Sequence, residues 1–232
     1  MKSQIGFLPE QPYFYDHLTA NELLNYYAQL SGVDAKDRSR RVDAVLSRVG
    51  LPDAQHTQLR KYSKGMLQRV GIAQAIVHDP KLVFLDEPMS GLDPIGRHEV
   101  RDLIQGLKDE GKTIFFSTHI LSDAETLCDR VAVLNHGEVR GISVVADLIK
   151  EVSGQVEIVF QGDRASKAMS QIATCKTAGE TSRAELPATQ ADAALDTVRN
   201  NGGKVISLTP VRRTLEEYFL QKVNAPAEEV TK

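Results

Sequence analysis

Asp86 and Glu87 are adjacent carboxylates that follow directly on the apolar run Leu82-Val83-Phe84-Leu85, and Pro88 comes next. In open α/β sheets, ligand chemistry sits just beyond the carboxyl ends of the strands. There, Asp86, continuing the strand, would hold Mg²⁺ directly or through water. Glu87 would face a phosphate as general base for an attacking water. A second apolar run, Ile114-Phe115-Phe116, leads to His119, whose imidazole could donate a hydrogen bond to a phosphate oxygen. Ser63 and Gly65 stand where a helix should begin, and the unpaired N–H groups of a helix start attract anions. Each feature also has a plain reading: a charged strand-end turn, a structural histidine, a serine N-cap. No one of them decides the chemistry alone.

These residues need elements to place them. Leu82 to Leu85 lacks alternation, which suits a strand buried on both faces of a parallel sheet. Lys112 to Thr118 reads as a second buried strand, and Ile5 to Leu8 as the end of another. Pro9-Glu10-Gln11-Pro12 forces a loop. Thr19-Ala20-Asn21-Glu22 has capping-box spacing, and the helix it starts stops at Gly32. Val42, Val45, Leu46 and Val49 predict a second helix closed by Gly50. Met66, Val70, Ala73 and Val77 form the buried face of a third. Ser90 to Pro94 is a turn feeding a helix around Val100 to Leu107. Leu121 to Leu127 is a short helix, Arg130 to Leu134 a strand, and Asn135-His136-Gly137 a turn into Glu138-Val139.

The 232 residues, 41% apolar and 25% charged, are ordinary for a globular protein. A net charge of −3 offers no basic footprint for nucleic acid, and none is expected as a partner. Cys128 and Cys175 have no metal-ligand spacing and read as reduced thiols. No apolar run approaches the ~18 residues of a membrane span, and the start lacks a signal peptide's core. Near Glu151 the composition shifts. Val156 to Phe160 reads as a half-exposed strand and Ala165 to Ile172 and Thr189 to Arg199 as helices. Lys204 to Leu208 is then a strand and Thr214 to Val223 a last helix. Residues 1–150 are therefore expected to form one domain and residues 151–223 a small separate α/β domain, with a disordered tail over 224–232.

Taken together, the segments resemble the nucleotide-binding subunit of ATP-binding cassette (ABC) transporters. Gln11 matches that family's Q-loop glutamine, Tyr62 to Met66 its signature loop, and Leu82 to Asp86 its Walker B strand. Glu87 matches the catalytic glutamate, Ser90 to Asp93 the D-loop, and His119 the switch histidine. Counting Glu87 with the Walker B strand, the five motifs stand in the family's order and cover Ile5 to about Gly137. Lys64 and Met66 in the signature, and Thr214-Leu215-Glu216-Glu217-Tyr218-Phe219-Leu220 near the end, look like the type-2 exporter class. The resemblance implies a P-loop NTPase-like α/β ABC ATPase domain with a helical subdomain and the small C-terminal α/β domain. It also implies two subunits pairing head to tail around two ATP molecules. Ser63, Lys64, Gly65 and Met66 would then meet the partner's ATP. Asp86 and Gln11 would help hold Mg²⁺, Glu87 would polarise water, His119 would steady the γ-phosphate, and Asp93 would couple the two sites. The segment after Gln11, with Tyr13, Phe14 and Tyr15, would meet a membrane-spanning permease subunit from the cytoplasmic face.

One departure stands against the matches. The family's Walker A loop, G-x-x-x-x-G-K-[ST], lies several dozen residues before the Q-loop, and Gln11 leaves no room for it. Gly106 to Thr113 satisfies that pattern letter for letter, but a helix pattern precedes it and a strand pattern follows. A phosphate loop needs the reverse order, so that loop amides and helix dipole meet at the phosphate. The match is expected to be false. The expectation is an ATP-hydrolysing export subunit with an N-terminally truncated chain. The alternative is a non-catalytic subunit that supplies only a signature face to a complete partner.

Overall fold

The computed structural model describes residues 4–149, 151–212 and 214–224. The tail expected to be disordered lies, from residue 225 on, outside the described residues. The chain divides into two compact units, one ending at Leu127 and the other starting at Cys128.

The first unit begins with strand β1 (Ile5–Leu8), followed by helices α1 (Ala20–Leu30), α2 (Ala35–Arg48) and α3 (Lys64–Ile76). The capping box is formed as its spacing predicts. Thr19 Oγ1 accepts the Glu22 N–H at 3.2 Å, and Glu22 accepts the Thr19 N–H at 2.8 Å. Next come β2 (Leu82–Leu85), α4 (Pro94–Asp109), β3 (Thr113–Phe116) and α5 (Leu121–Leu127). Strands β1, β2 and β3 lie side by side in that order, all parallel and in register from Ile5↔Leu82↔Thr113 to Leu8↔Leu85↔Phe116. Leu8, Val83 and Leu85 face the core with α3 and α4 residues such as Ile72, Ile76, Val100 and Leu107. Gly6 lets β1 lie flush against α3, since a Cβ there would collide with the Ala75 carbonyl.

The burial of the sheet corrects one expectation. Strand β2 alternates half-buried and buried rather than being covered on both faces, and Phe115 of β3 is 60% exposed. Successive strand residues point to opposite faces, so a helix layer on one side covers only every second residue. The other face carries Ile5, Phe7, Phe84 and Phe115, with Phe7 55% exposed. Phe14, expected at a partner contact, is likewise buried in the core, whereas Tyr13 and Tyr15 are exposed.

Two further contacts join elements of this unit. Lys112, the lysine of the false phosphate loop, binds Asp79 and donates to the Pro80 carbonyl at 3.2 Å, tying the start of β3 to the turn before β2. The loop runs from α4 into β3, so the helix–strand order is the reverse of a phosphate cradle. His78 is half-buried with one ring nitrogen 3.1 Å from the Ile5 carbonyl and the other without a partner. Burial depresses its pKa below the ordinary value. The unfolded chain therefore takes up a proton near pH 6.5 that the folded unit resists, so stability is present above that pH and falls below it. The urea midpoint at pH 5.5 is expected to lie below that at pH 7.5, with a smaller drop in His78→Gln. Equal pH dependence in the two proteins would refute the assignment.

The second unit opens with the hairpin β4 (Arg130–Asn135) and β5 (Glu138–Val144), turned by His136 and Gly137 at φ 51° and 81°. After α6 (Val145–Leu148) come β6 (Glu151–Gln161), α7 (Asp163–Met169), β7 (Cys175–Ala178), β8 (Thr181–Pro187), α8 (Ala191–Asn200), β9 (Lys204–Arg212) and α9 (Leu215–Asn224). Strands β6 to β9 form an antiparallel sheet in the order β7-β8-β6-β9, the split β-α-β arrangement. Its core joins Ile158, Phe160, Ala184 and Leu186 to Ala165, Met169, Ala194 and Val198 of α7 and α8.

The boundary expected at residue 150 falls inside this second unit. The reason is α9, which packs on the β4–β5 hairpin rather than on the four-stranded sheet. Tyr218 Oη lies 2.9 Å from Ser143 Oγ, and Gly141 leaves room for the Tyr218 and Lys222 side chains. The hairpin thus goes with the C-terminal segment, which its position in the sequence does not disclose.

Candidate functional site

The site forms where β2 and β3 end side by side. The last paired residues are Leu85 and Phe116, so Asp86 and Ser117 are neighbours just beyond the ladder. The Asp86 N–H donates to Leu8 O at 2.8 Å and the Ser117 N–H to Leu85 O at 3.0 Å, which carries the parallel pattern one residue further. Ser117 Oγ donates to Asp86 Oδ1 at 2.6 Å and accepts the Glu87 N–H at 2.9 Å. His119 Nδ1 stands 3.0 Å from both Glu87 carboxylate oxygens. Asp86, Glu87 and His119 are therefore brought together as their positions at two strand ends predict.

Glu87 adopts φ 46°, a left-handed conformation that costs a non-glycine residue energy. The turn is closed by the Ser90 N–H on Glu87 O at 3.0 Å, while Pro88 and Met89 are buried beneath it. This bend turns the chain away from the strand direction immediately after Asp86.

Gln11 is exposed on the loop leaving β1, the strand adjacent to β2, and thus lies at the same end of the sheet. The loop is backed by α3 at Gly71, whose missing side chain admits Leu8, Pro12 and Phe14. Ser63 caps α3, its hydroxyl accepting the Met66 N–H at 3.2 Å, so one helix-start amide is occupied within the chain. The Lys64 ammonium packs onto Gly91, where a Cβ would collide with it. Gly91 adopts φ 65°, and Asp93 caps α4 by accepting the Gly96 N–H at 2.9 Å. Lys64, at the start of α3, and the Ser90 to Asp93 turn are therefore in contact, and Asp93 also serves as a helix cap.

Among the described residues no group of three or more His, Cys, Asp or Glu is arranged to hold a metal. Mg²⁺ needs no such cage. It is typically bound by one or two carboxylates with waters and phosphate oxygens completing its shell. Asp86 is exposed and uses only Oδ1 in the bond to Ser117, a hard-oxygen donor that fits this mode.

Two residues of consequence carry no motif. Ser117 links the Asp86 carboxylate to the Glu87 backbone N–H, and knowledge that β2 and β3 are neighbours would have pointed to it. Asp123 of α5 is fully buried and accepts from Arg101 of α4 at 2.9 Å, joining the helix after the D-loop turn to the helix after His119. A buried carboxylate is tolerated only with such a partner.

The ABC transporter family model matches residues 1–90. An uncharacterised ABC transporter ATP-binding protein of Synechocystis sp. is 42% identical over 224 residues, covering 96% of this chain and 63% of that protein. A similarly described protein of Nostoc sp. is 42% identical over 228 residues, with 67% of its own length covered. A fluoroquinolones export ATP-binding protein of Mycobacterium tuberculosis is 39% identical over 161 residues, covering 69% of this chain and 52% of that one. Among solved structures, an ATP-binding subunit of an ABC transporter is similar with a TM-score of 0.57 and 33% identity. That similarity covers 63% of this chain and 61% of the other. The chain thus spans 63% of the length of the Synechocystis relative.

Proposed function

The chain belongs to the ABC transporter ATP-binding family, and from that premise we propose that it is the ATP-binding, ATP-hydrolysing subunit of an exporter, working through a separate membrane-spanning permease. The observation that carries this reading is the cluster at the ends of β2 and β3. Asp86, Glu87 and His119 converge there, with a strained turn aiming Glu87 at the histidine. In the proposed cycle Asp86 and Gln11 would help hold Mg²⁺ with ATP. Bound there, Mg²⁺ would neutralise phosphate charge.

Glu87 takes the proton of the attacking water, and His119 orients the Glu87 carboxylate and steadies the γ-phosphate. Ser63, Lys64, Gly65 and Met66 present a helix start to ATP held by a second nucleotide-binding subunit, identical or different. Asp93 couples the two sites. No helix among the described residues is long and apolar enough to cross a membrane, and the proposed location is peripheral, at the inner face. Tyr13, Tyr15 and Tyr26, which are 92%, 53% and 48% exposed, offer an aromatic surface for the permease.

The intact Glu87 and His119 favour a catalytic cassette over a subunit that supplies only a signature face. Mixing the chain with a relative able to bind ATP separates the two. If only the signature face works, Ser63→Ala abolishes the chain's stimulation of the relative's ATPase and Glu87→Gln leaves it intact. On the catalytic reading Glu87→Gln lowers it as well once the chain carries a strand–loop–helix phosphate cradle ahead of β1. Failure of the unaltered chain to stimulate any turnover would count against both.

A further inference from the structure

We propose that Ser117 is the positioning residue of this site, one hydroxyl that fixes the Asp86 carboxylate and the Glu87 backbone at the same time. The inference rests on reading Asp86 as the cation ligand and Glu87 as the base. A serine hydroxyl has one proton and two lone pairs. At 2.6 Å from Asp86 Oδ1 the proton goes to the carboxylate, which can only accept. Ser117 Oγ is then left as the acceptor for the Glu87 N–H at 2.9 Å. Donor and acceptor roles are thereby assigned without choice.

Two consequences follow. The bond holds Asp86 with one oxygen engaged and leaves the other for a cation or its water. The bond from Glu87 anchors an amide whose residue sits at φ 46°, a conformation that persists only where neighbours enforce it. The bent backbone carries the Glu87 carboxylate to His119, two residues beyond Ser117 on the same strand end. A single strand end thus supplies both the anchor for the backbone and the partner for the side chain. Ser117 is itself exposed, so it contributes little to the core and its role is separable from folding.

The test uses the whole chain with Ser117→Ala, Ser117→Thr and Asp86→Asn. Amide hydrogen exchange at Glu87 is followed by NMR, Mn²⁺ affinity by electron paramagnetic resonance, and folding by the thermal midpoint. Ser117→Ala is expected to speed exchange at Glu87 about tenfold. It is also expected to weaken Mn²⁺ binding about tenfold, as loss of a residue orienting a metal ligand does. Ser117→Thr, which keeps the hydroxyl, restores both. Unchanged exchange at Glu87 in Ser117→Ala, or a Ser117→Thr protein that behaves like Ser117→Ala, overturns the proposal. If Asp86→Asn leaves Mn²⁺ affinity unaltered, the reading of Asp86 as a cation ligand fails, and exchange at Glu87 alone decides the role of Ser117.

Discussion

Glu87→Gln, in a chain that carries a strand–loop–helix phosphate cradle ahead of β1, will lower single-turnover ATP hydrolysis by about 10²–10⁴-fold. The amide has the shape of the carboxylate but cannot take a proton from water. Its backbone remains anchored through the Glu87 N–H to Ser117 Oγ, which the substitution does not touch. The side-chain position also survives, because an amide oxygen can accept from a protonated His119 Nδ1 where the carboxylate now stands. Binding is expected to persist or tighten, since one negative charge near the phosphates is removed. ATP-dependent dimerisation, measured by light scattering, should therefore be retained while turnover is lost. Turnover within a few-fold of the unaltered protein would remove Glu87 from the role of base.

Titration of the 232-residue chain itself with Mg-ATP is expected to give weak or undetectable heat, with any dissociation constant on the order of a millimolar or weaker. The family holds phosphates chiefly with the amides and lysine of its Walker A loop, and the match to that pattern here, Gly106 to Thr113, runs from helix to strand and forms no cradle. On the β2 side the nucleotide meets Asp86, Glu87 and the neutral Gln11. Two carboxylates repel a triphosphate, and one Mg²⁺ offsets only part of that.

The lysine that mimics the cradle is already occupied by Asp79 and the Pro80 carbonyl, with a side chain only 12% exposed. Lys112→Ala should accordingly leave nucleotide binding unaltered and lower stability by roughly 1 kcal/mol, the scale of one net hydrogen bond. It should also raise the Asp79 pKa, which the Lys112 hydrogen bond now holds below the ordinary value. That contribution of the pair is present above the usual aspartate pKa near 4 and is lost as pH falls through the lowered value. Saturable ATP binding that disappears in Lys112→Ala would restore the loop to function and refute the helix–strand argument.

Local chemistry made much of this molecule readable in one dimension. The capping box at Thr19, the serine cap at Ser63, the caps and turns at Gly32, Gly50 and Gly137, and helix α5 each depend on contacts within a few residues. Their patterns therefore name them. The positions of Asp86, Glu87 and His119 just after apolar runs predict strand ends for the same reason. The β7–β8 hairpin was not legible, although Thr181–Pro187 alternates strictly, because its turn at Gly179 and Glu180 is short and its first strand has only four residues.

What the sequence determined by itself was the list of reactive groups and the family they belong to, since motif spacing records chain geometry at short range. Tertiary structure decided which of them touch. Ser117 meets Asp86 only because two strands some 30 residues apart lie in parallel register, and no local pattern encodes which strands are neighbours. The same holds for burial. Leu82 to Leu85 looks uniformly apolar, yet which face is covered depends on where α3 and α4 pack. It holds again for the division of the chain, where α9 selects the β4–β5 hairpin through Tyr218 and Ser143, residues 75 positions apart. Side-chain types and local spacing are properties of the chain, whereas register, coverage and long-range pairing arise from the free energy of the whole packed arrangement.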